Sequence, residues 1–209
     1  KDNVYYSNDA GLSWKNLGSM SGATPGVKAV CVATIEGESV VFMSHPIFGL
    51  SYCYPNRKNT VWNDVTAGFE MMKSLTSPDE ISDIYPVLRT QADGTVKTEI
   101  YISQMYIPRI YKFDWQNKRG ELIYSGSEPA DAIDGLTCID NVLMYTTLEG
   151  FGALDLETLQ NPGKPVNEEQ WHQAFSKVPD TIFTNAILSR CFGSMLAWIL
   201  KTNPANLFS

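Results

Sequence analysis

The chain has 209 residues, of which 44% are hydrophobic, 11% aromatic and 19% charged, a globular composition rather than a disordered one. Its formal net charge of −7 and pI near 4.8 argue against nucleic-acid or anionic-membrane binding, since both need clustered Lys and Arg. No apolar run reaches the roughly 18–20 residues that cross a bilayer, so no transmembrane segment is expected, and the longest, 194–200, reads as a buried strand. Cys31, Cys53, Cys138 and Cys191 are widely spaced, without a C-x-x-C pair, and three of them sit in apolar strand-like contexts. They are expected to be mostly buried thiols acting as small hydrophobes. With only two His besides, no metal site and no cofactor are expected. The chain begins at Lys1 rather than Met, as a mature product or a fragment would, and together with the acidic, aromatic-rich composition this suits a processed, exported chain: extracellular, periplasmic or cell-surface.

The first element is an apolar strand, Asn3-Val4-Tyr5-Tyr6, followed by Ser7-Asn8-Asp9-Ala10-Gly11-Leu12-Ser13-Trp14. The pattern S-x-D-x-G-x-S-W reads as a hairpin. Asp9 can accept from the turn's own N–H groups, and Gly11 can take positive φ without a Cβ clash. Trp14 opens the return strand and is expected to cover the inside of the hairpin. Strands are predicted next over 27–34, 40–43 and 49–54, with a turn at Glu36-Gly37. Trp62-Asn63-Asp64-Val65 then parallels Trp14-Lys15-Asn16-Leu17, across a loop at 55–61 that keeps the motif's length but not its Asp and Gly. The stretch 66–82 is an insertion. Ala67 to Leu75 predicts two helical turns with Phe69 and Met72 on one side, and Ser77-Pro78 predicts a further helix start.

Beyond the insertion the strand pattern returns over 83–91, 99–102 and 109–113, with Trp115 in the hairpin region. It recurs over 135–140, 142–145 and 152–156, and again over 184–189 and 195–199. Trp171 could open another return strand, although Asn167 followed by Glu168 and Glu169 equally reads as an N-capped helical turn. Tyr6, Tyr54, Phe113 and Leu154 recur at intervals of about 40–60 residues, near the roughly 40–50 of a four-stranded propeller blade. Asn206-Leu207-Phe208-Ser209 repeats the opening strand. The pattern predicts one all-β domain over 1–209.

The octet Ser7 to Trp14 resembles the Asp-box, or BNR repeat, of β-propellers such as sialidases, xyloglucanase-type glycosidases and sortilin-like receptors. The resemblance covers eight residues. It implies an all-β propeller of four-stranded antiparallel blades, about four in number, either a small ring or an arc of a larger one; the repeated opening at 206–209 favours the arc. In that family the aspartate stabilises a turn at the outer edge of the sheet. Ser7, Asp9, Gly11 and Trp14 are therefore carried over as fold-stabilising residues, and loss of Asp9 or Trp14 is expected to lower thermal stability. Sialidases add an Arg-Ile-Pro motif and an arginine triad. The nearest echo here, Tyr106-Ile107-Pro108-Arg109-Ile110, runs in the wrong order, and no triad is evident among Arg57, Arg89, Arg109, Arg119 and Arg190. Sialidase activity is not expected.

No catalytic residue stands out. Tyr106, Arg109, Trp115 and His45 are the ligand-binding candidates. Tyr101, Tyr106, Tyr111 and Trp115 alternate with polar residues, as half-buried strands do and as platforms for sugars would. Asp114, Glu128, Asp131, Asp134 and Asp155 fall near strand ends, where glycoside hydrolysis would need a carboxylate pair. The leading expectation is a non-enzymatic binding module that recognises a protein or carbohydrate ligand through its loops. The alternative is a glycoside hydrolase of the Asp-box type; a third reading is an assembly component whose further blades come from the parent chain or another subunit.

Overall fold

The computed structural model describes residues 3–18, 27–45, 49–69, 81–105, 108–126, 133–139, 141–147 and 150–159. These residues are all-β. The strands are β1 (Val4–Tyr6), β2 (Lys15–Gly18), β3 (Val30–Ile35), β4 (Glu38–His45), β5 (Gly49–Cys53), β6 (Asn63–Asp64) and β7 (Ile81–Thr90). They continue with β8 (Val96–Gln104), β9 (Arg109–Asp114), β10 (Arg119–Ser125), β11 (Ile133–Ile139), β12 (Val142–Thr147) and β13 (Gly150–Asp155). Each strand predicted between 27 and 156 overlaps one of these. The expected strands at 184–199, the Trp171 segment and the repeat at 206–209 lie outside the described residues. Sequence neighbours are sheet neighbours throughout, giving sheets β1-β2, β3-β4-β5-β6, β7-β8-β9-β10 and β11-β12-β13. Among the described residues no helix is long and apolar enough to cross a membrane.

The chain divides into two compact units, one of Lys1–Ile102 with Tyr111–Glu121, the other of Ser103–Ile110 with Leu122–Ser209. In the first unit β3 alternates strictly: Val30, Val32 and Thr34 point outward while Cys31, Ala33 and Ile35 are buried. A two-residue turn, Glu36 at φ 52 and Gly37 at φ 80, joins it to β4 with Ile35 opposite Glu38. Such doubly left-handed turns match the twist of paired strands. β4 is apolar on both sides, as its unbroken run Val40-Val41-Phe42-Met43 requires. Val40 and Phe42 join a core with Leu50, Ile81, Ile84, Ile100, Ile102, Tyr111 and Phe113. Val41 and Met43 join a second core with Val4, Leu17 and Cys53. The middle strands β4 and β5 are thus covered by β1-β2 on one face and by residues of β7, β8 and β9 on the other, while β3 keeps its outer positions exposed.

The insertion departs from expectation. Thr66–Gly68 makes a single 3₁₀ turn, and Phe69 is already extended at φ −108, ψ 96. Phe69 is fully buried, edge-on to Tyr111 and stacked on Phe113. Burying that ring outweighs a weak local helix preference, because an isolated two-turn helix is marginal in water. Residues 70–80, including the expected cap at Ser77-Pro78, lie outside the described residues.

In the second unit β12 is the middle strand, paired Tyr145 to Leu136 on one side and Tyr145 to Gly152 on the other. The Tyr145 ring lies across Gly152, where a Cβ would fall 1.9 Å from Tyr145 Cζ, so only glycine fits. Tyr124 packs on the same ring, centroids 4.8 Å apart.

Candidate functional site

The β1-β2 hairpin is closed by its own short polar side chains. Asp9 accepts from Ser13 N at 2.9 Å and Ser13 Oγ at 2.6 Å, and Ser7 Oγ donates to it at 2.7 Å. Ser7 Oγ in turn accepts from Gly11 N at 2.8 Å, which Gly11 presents at φ 89. The Ser13 hydroxyl, then the Ser13 N–H and the Ser7 hydroxyl, pull the Asp9 carboxyl down to about 2. Trp14 does not cover the inside of the hairpin. It is 62% exposed, and its indole N–H donates to Gly11 O at 3.1 Å. The inward positions of β1 and β2 belong to Val4 and Leu17, which leaves Trp14 on the outer face with Tyr5. The parallel residue Trp62 does face inward: it packs on the second core and donates its indole N–H to Leu17 O at 2.9 Å.

A second cluster gathers at the turn end of the first unit. Tyr52 on β5, Tyr54 just beyond it and Trp115 after β9 are half-buried and mutually in contact, with Tyr52 and Trp115 centroids 4.9 Å apart. Phe42 and Phe113 support them from the core. Two cations lie on the rings. Arg57 sits 3.5 Å above Tyr54 and is held by Glu38 at 2.7 Å; Lys118 Nζ sits 3.0 Å from the Trp115 centroid and 5.2 Å from that of Tyr52. Lys118 Nζ also donates to Trp115 O at 2.5 Å. Burial lowers the Lys118 pKa, while the charges of Glu36 and Asp114 act in the opposite sense.

Hairpin chemistry aims these side chains. Asp114 accepts from Gln116 N and Asn117 N, and Lys118 follows in the left-handed region at φ 53. The loop at 55–61, which lacks the Asp and Gly, is tied from outside: Lys15 Nζ donates to Pro55 O at 2.6 Å and Arg57 O at 2.9 Å.

Of the ligand-binding candidates, Trp115 is part of this cluster. His45 ends β4, only 5% exposed and opposite Gly49, so its ring faces protein rather than solvent. It stands at the other end of β4 from Glu38, about 23 Å along the strand. Arg109 belongs to the second unit, half-buried at the start of β9, with no acceptor for its Nε among the described residues. Tyr106 lies outside the described residues. Tyr101 and Tyr111 are fully buried, which removes them as sugar platforms. Tyr101 instead donates to Glu99 at 2.6 Å; Lys112 Nζ contacts the same carboxylate at 2.6 Å and Arg89 lies 3.9 Å away. Burial alone would raise the Glu99 carboxyl, but Lys112 and Tyr101 overcome it and hold the group below its ordinary value. Burial, then the neighbouring Glu99, raises the Tyr101 phenol, so it is no nucleophile at neutral pH.

The carboxylates at strand ends are engaged locally. Asp114 caps its own turn and Asp155 accepts from Glu157 N at 2.8 Å; Asp134 is exposed on β11, and Glu128 and Asp131 lie outside the described residues. Cys31 and Cys53 are buried thiols, and burial pushes Cys53 up to about 12.

Sequence reasoning missed Tyr52, Tyr54, Arg57 and Lys118. A signal existed in Phe113-Asp114-Trp115-Gln116-Asn117 beside Leu154-Asp155-Leu156-Glu157-Thr158. Both run from an apolar strand residue into an Asp that caps the N–H two residues on, with a left-handed residue, Lys118 or Leu159, after four. Comparison with protein-family models and with curated proteins finds no match to this chain.

Proposed function

We propose that the chain is a non-enzymatic binding module of the Asp-box propeller kind, with about four blades, that recognises a protein ligand through the loops at its hairpin ends. The observation that carries this reading is the half-exposed trio Tyr52, Tyr54 and Trp115 with Arg57 and Lys118 on their faces. Tyr, Trp and Arg are the side chains that anchor protein interfaces, because they bury much area at little entropic cost. A sugar would need the Trp115 face that Lys118 covers, which favours protein over carbohydrate. Support for the propeller comes from the four-stranded meanders taken in chain order and from β4 and β5, whose two faces are both packed against other strands. A two-layer sandwich would leave one face of those middle strands to solvent. The Ser7, Asp9, Gly11 network supports the Asp-box resemblance. The reading includes export to an extracellular, periplasmic or cell-surface site, as is frequent among the Asp-box proteins that the octet resembles.

The test is a panel of chromogenic glycosides beside a pull-down with partner candidates. No turnover is expected; turnover abolished by a single carboxylate substitution would replace the binding module with a hydrolase. Light scattering on the eluting protein should give a particle of 23.3 kDa. A larger mass would favour an assembly component.

A further inference from the structure

We propose that the outer face of the β1-β2 hairpin is a carbohydrate platform, on which Trp14 and Tyr5 stack against a neutral hexopyranose chain while the Asn16 amide donates to its hydroxyls. This goes beyond the protein-binding reading and concerns a different surface from the cluster of Tyr52, Tyr54 and Trp115. Trp14 and Tyr5 are both more than half exposed, whereas Val4 and Leu17 of the same hairpin are buried. Tyr5 pairs with Asn16 across the two strands. Trp14, two residues before Asn16, is therefore the diagonal neighbour of Tyr5, at about 7–8 Å.

The indole is held in place by its polar edge. Nε1 donates to Gly11 O at 3.1 Å, and Cζ2 on the same edge lies 3.6 Å from where a Cβ on Gly11 would stand. Gly11 is itself fixed by Ser7 Oγ, and the turn around it by Asp9. A ligand therefore meets a ring that is already ordered, which removes part of the entropic cost of binding. With its one donor engaged inside the turn, the ring offers a ligand apolar faces alone. The outward positions Tyr5, Trp14 and Asn16 carry no charge. Asp9 is saturated by Ser7 and Ser13, and the Lys15 ammonium is turned away to Pro55 O and Arg57 O. Charged groups are what orient one protein on another, so this face lacks the means. A hexopyranose needs none, since it has a C–H face to lie on a ring and an edge of neutral hydroxyls. Asn16 supplies matching donors: its Oδ1 accepts from Gly18 N at 2.7 Å, which directs the amide nitrogen, unpartnered among the described residues, to a ligand.

The test is calorimetric titration of the full chain with three neutral probes, cellohexaose, maltohexaose and mannohexaose. Binding of at least one is expected, weakened at least about tenfold by Trp14→Ala. Tyr5→Ser should weaken it too, and Trp14→Phe, which keeps a ring, should retain part of it. Trp14 lies outside the core, so Trp14→Ala should melt close to the wild type, which separates loss of binding from loss of fold. Binding of none of the three probes, or unchanged binding in Trp14→Ala, overturns the platform. A wild-type particle heavier than 23.3 kDa that Trp14→Ala returns to that mass gives the face to a second copy and overturns it as well. So does a captured protein partner that Trp14→Ala releases. Failed titrations leave the protein-binding reading standing, because that reading rests on Tyr52, Tyr54 and Trp115.

Discussion

Asp9 shows how seven residues can carry a complete piece of structure. Every partner of its carboxylate lies between Ser7 and Ser13, so the turn was legible from spacing alone. Its folded pKa lies near 2, below the unfolded value of about 3.9. The stabilisation is therefore complete above about pH 4 and disappears as pH falls towards 2. Asp9→Asn should melt below the wild type at pH 7 and converge with it at pH 2, as followed by circular dichroism. Trp14 was not legible in the same way. Which face of β1-β2 turns inward is decided by Val41, Met43 and Cys53, far along the chain, and they select Val4 and Leu17. Trp14→Ala should thus cost no more than about 1 kcal/mol in urea unfolding. Trp62→Phe, which strips a donor from Leu17 O inside the core, should cost about 1–2 kcal/mol.

At the scale of elements, strands were readable because alternation and continuous apolar runs are written into short windows, as in β3 and β4. The 3₁₀ turn at Thr66–Gly68 was not, since the burial of Phe69 depends on Tyr111 and Phe113, more than forty positions later. Close approaches between strands are equally invisible to periodicity. Gly152→Ala would drive a methyl into Tyr145 and should destabilise by about 1–3 kcal/mol, read as a lower melting temperature. Adding Tyr145→Val should recover part of that loss, and strictly additive losses would place the strain elsewhere.

For the whole molecule, cysteine chemistry gives a probe of opening. Cys53 is fully buried, with its thiol pushed up to about 12, so at pH 7 it is neither ionised nor reachable. Maleimide should label Cys53 only through global unfolding, at a rate that rises in step with urea, whereas rapid labelling of the native protein would mean local opening of β5. The order of sheets was visible in the recurrence of strands; the cluster of Tyr52, Tyr54 and Trp115 was not, because its parts come from two hairpins whose meeting no spacing records. Those hairpins also differ in how they are fastened. One is held by Ser7 and Asp9, another by the distant Lys15, a third by Asp114 with a left-handed Lys118. A hairpin here can be closed by its own short polar side chains or by a lysine forty residues away, so losing the Asp and Gly of one turn need not unpair the strands it joins.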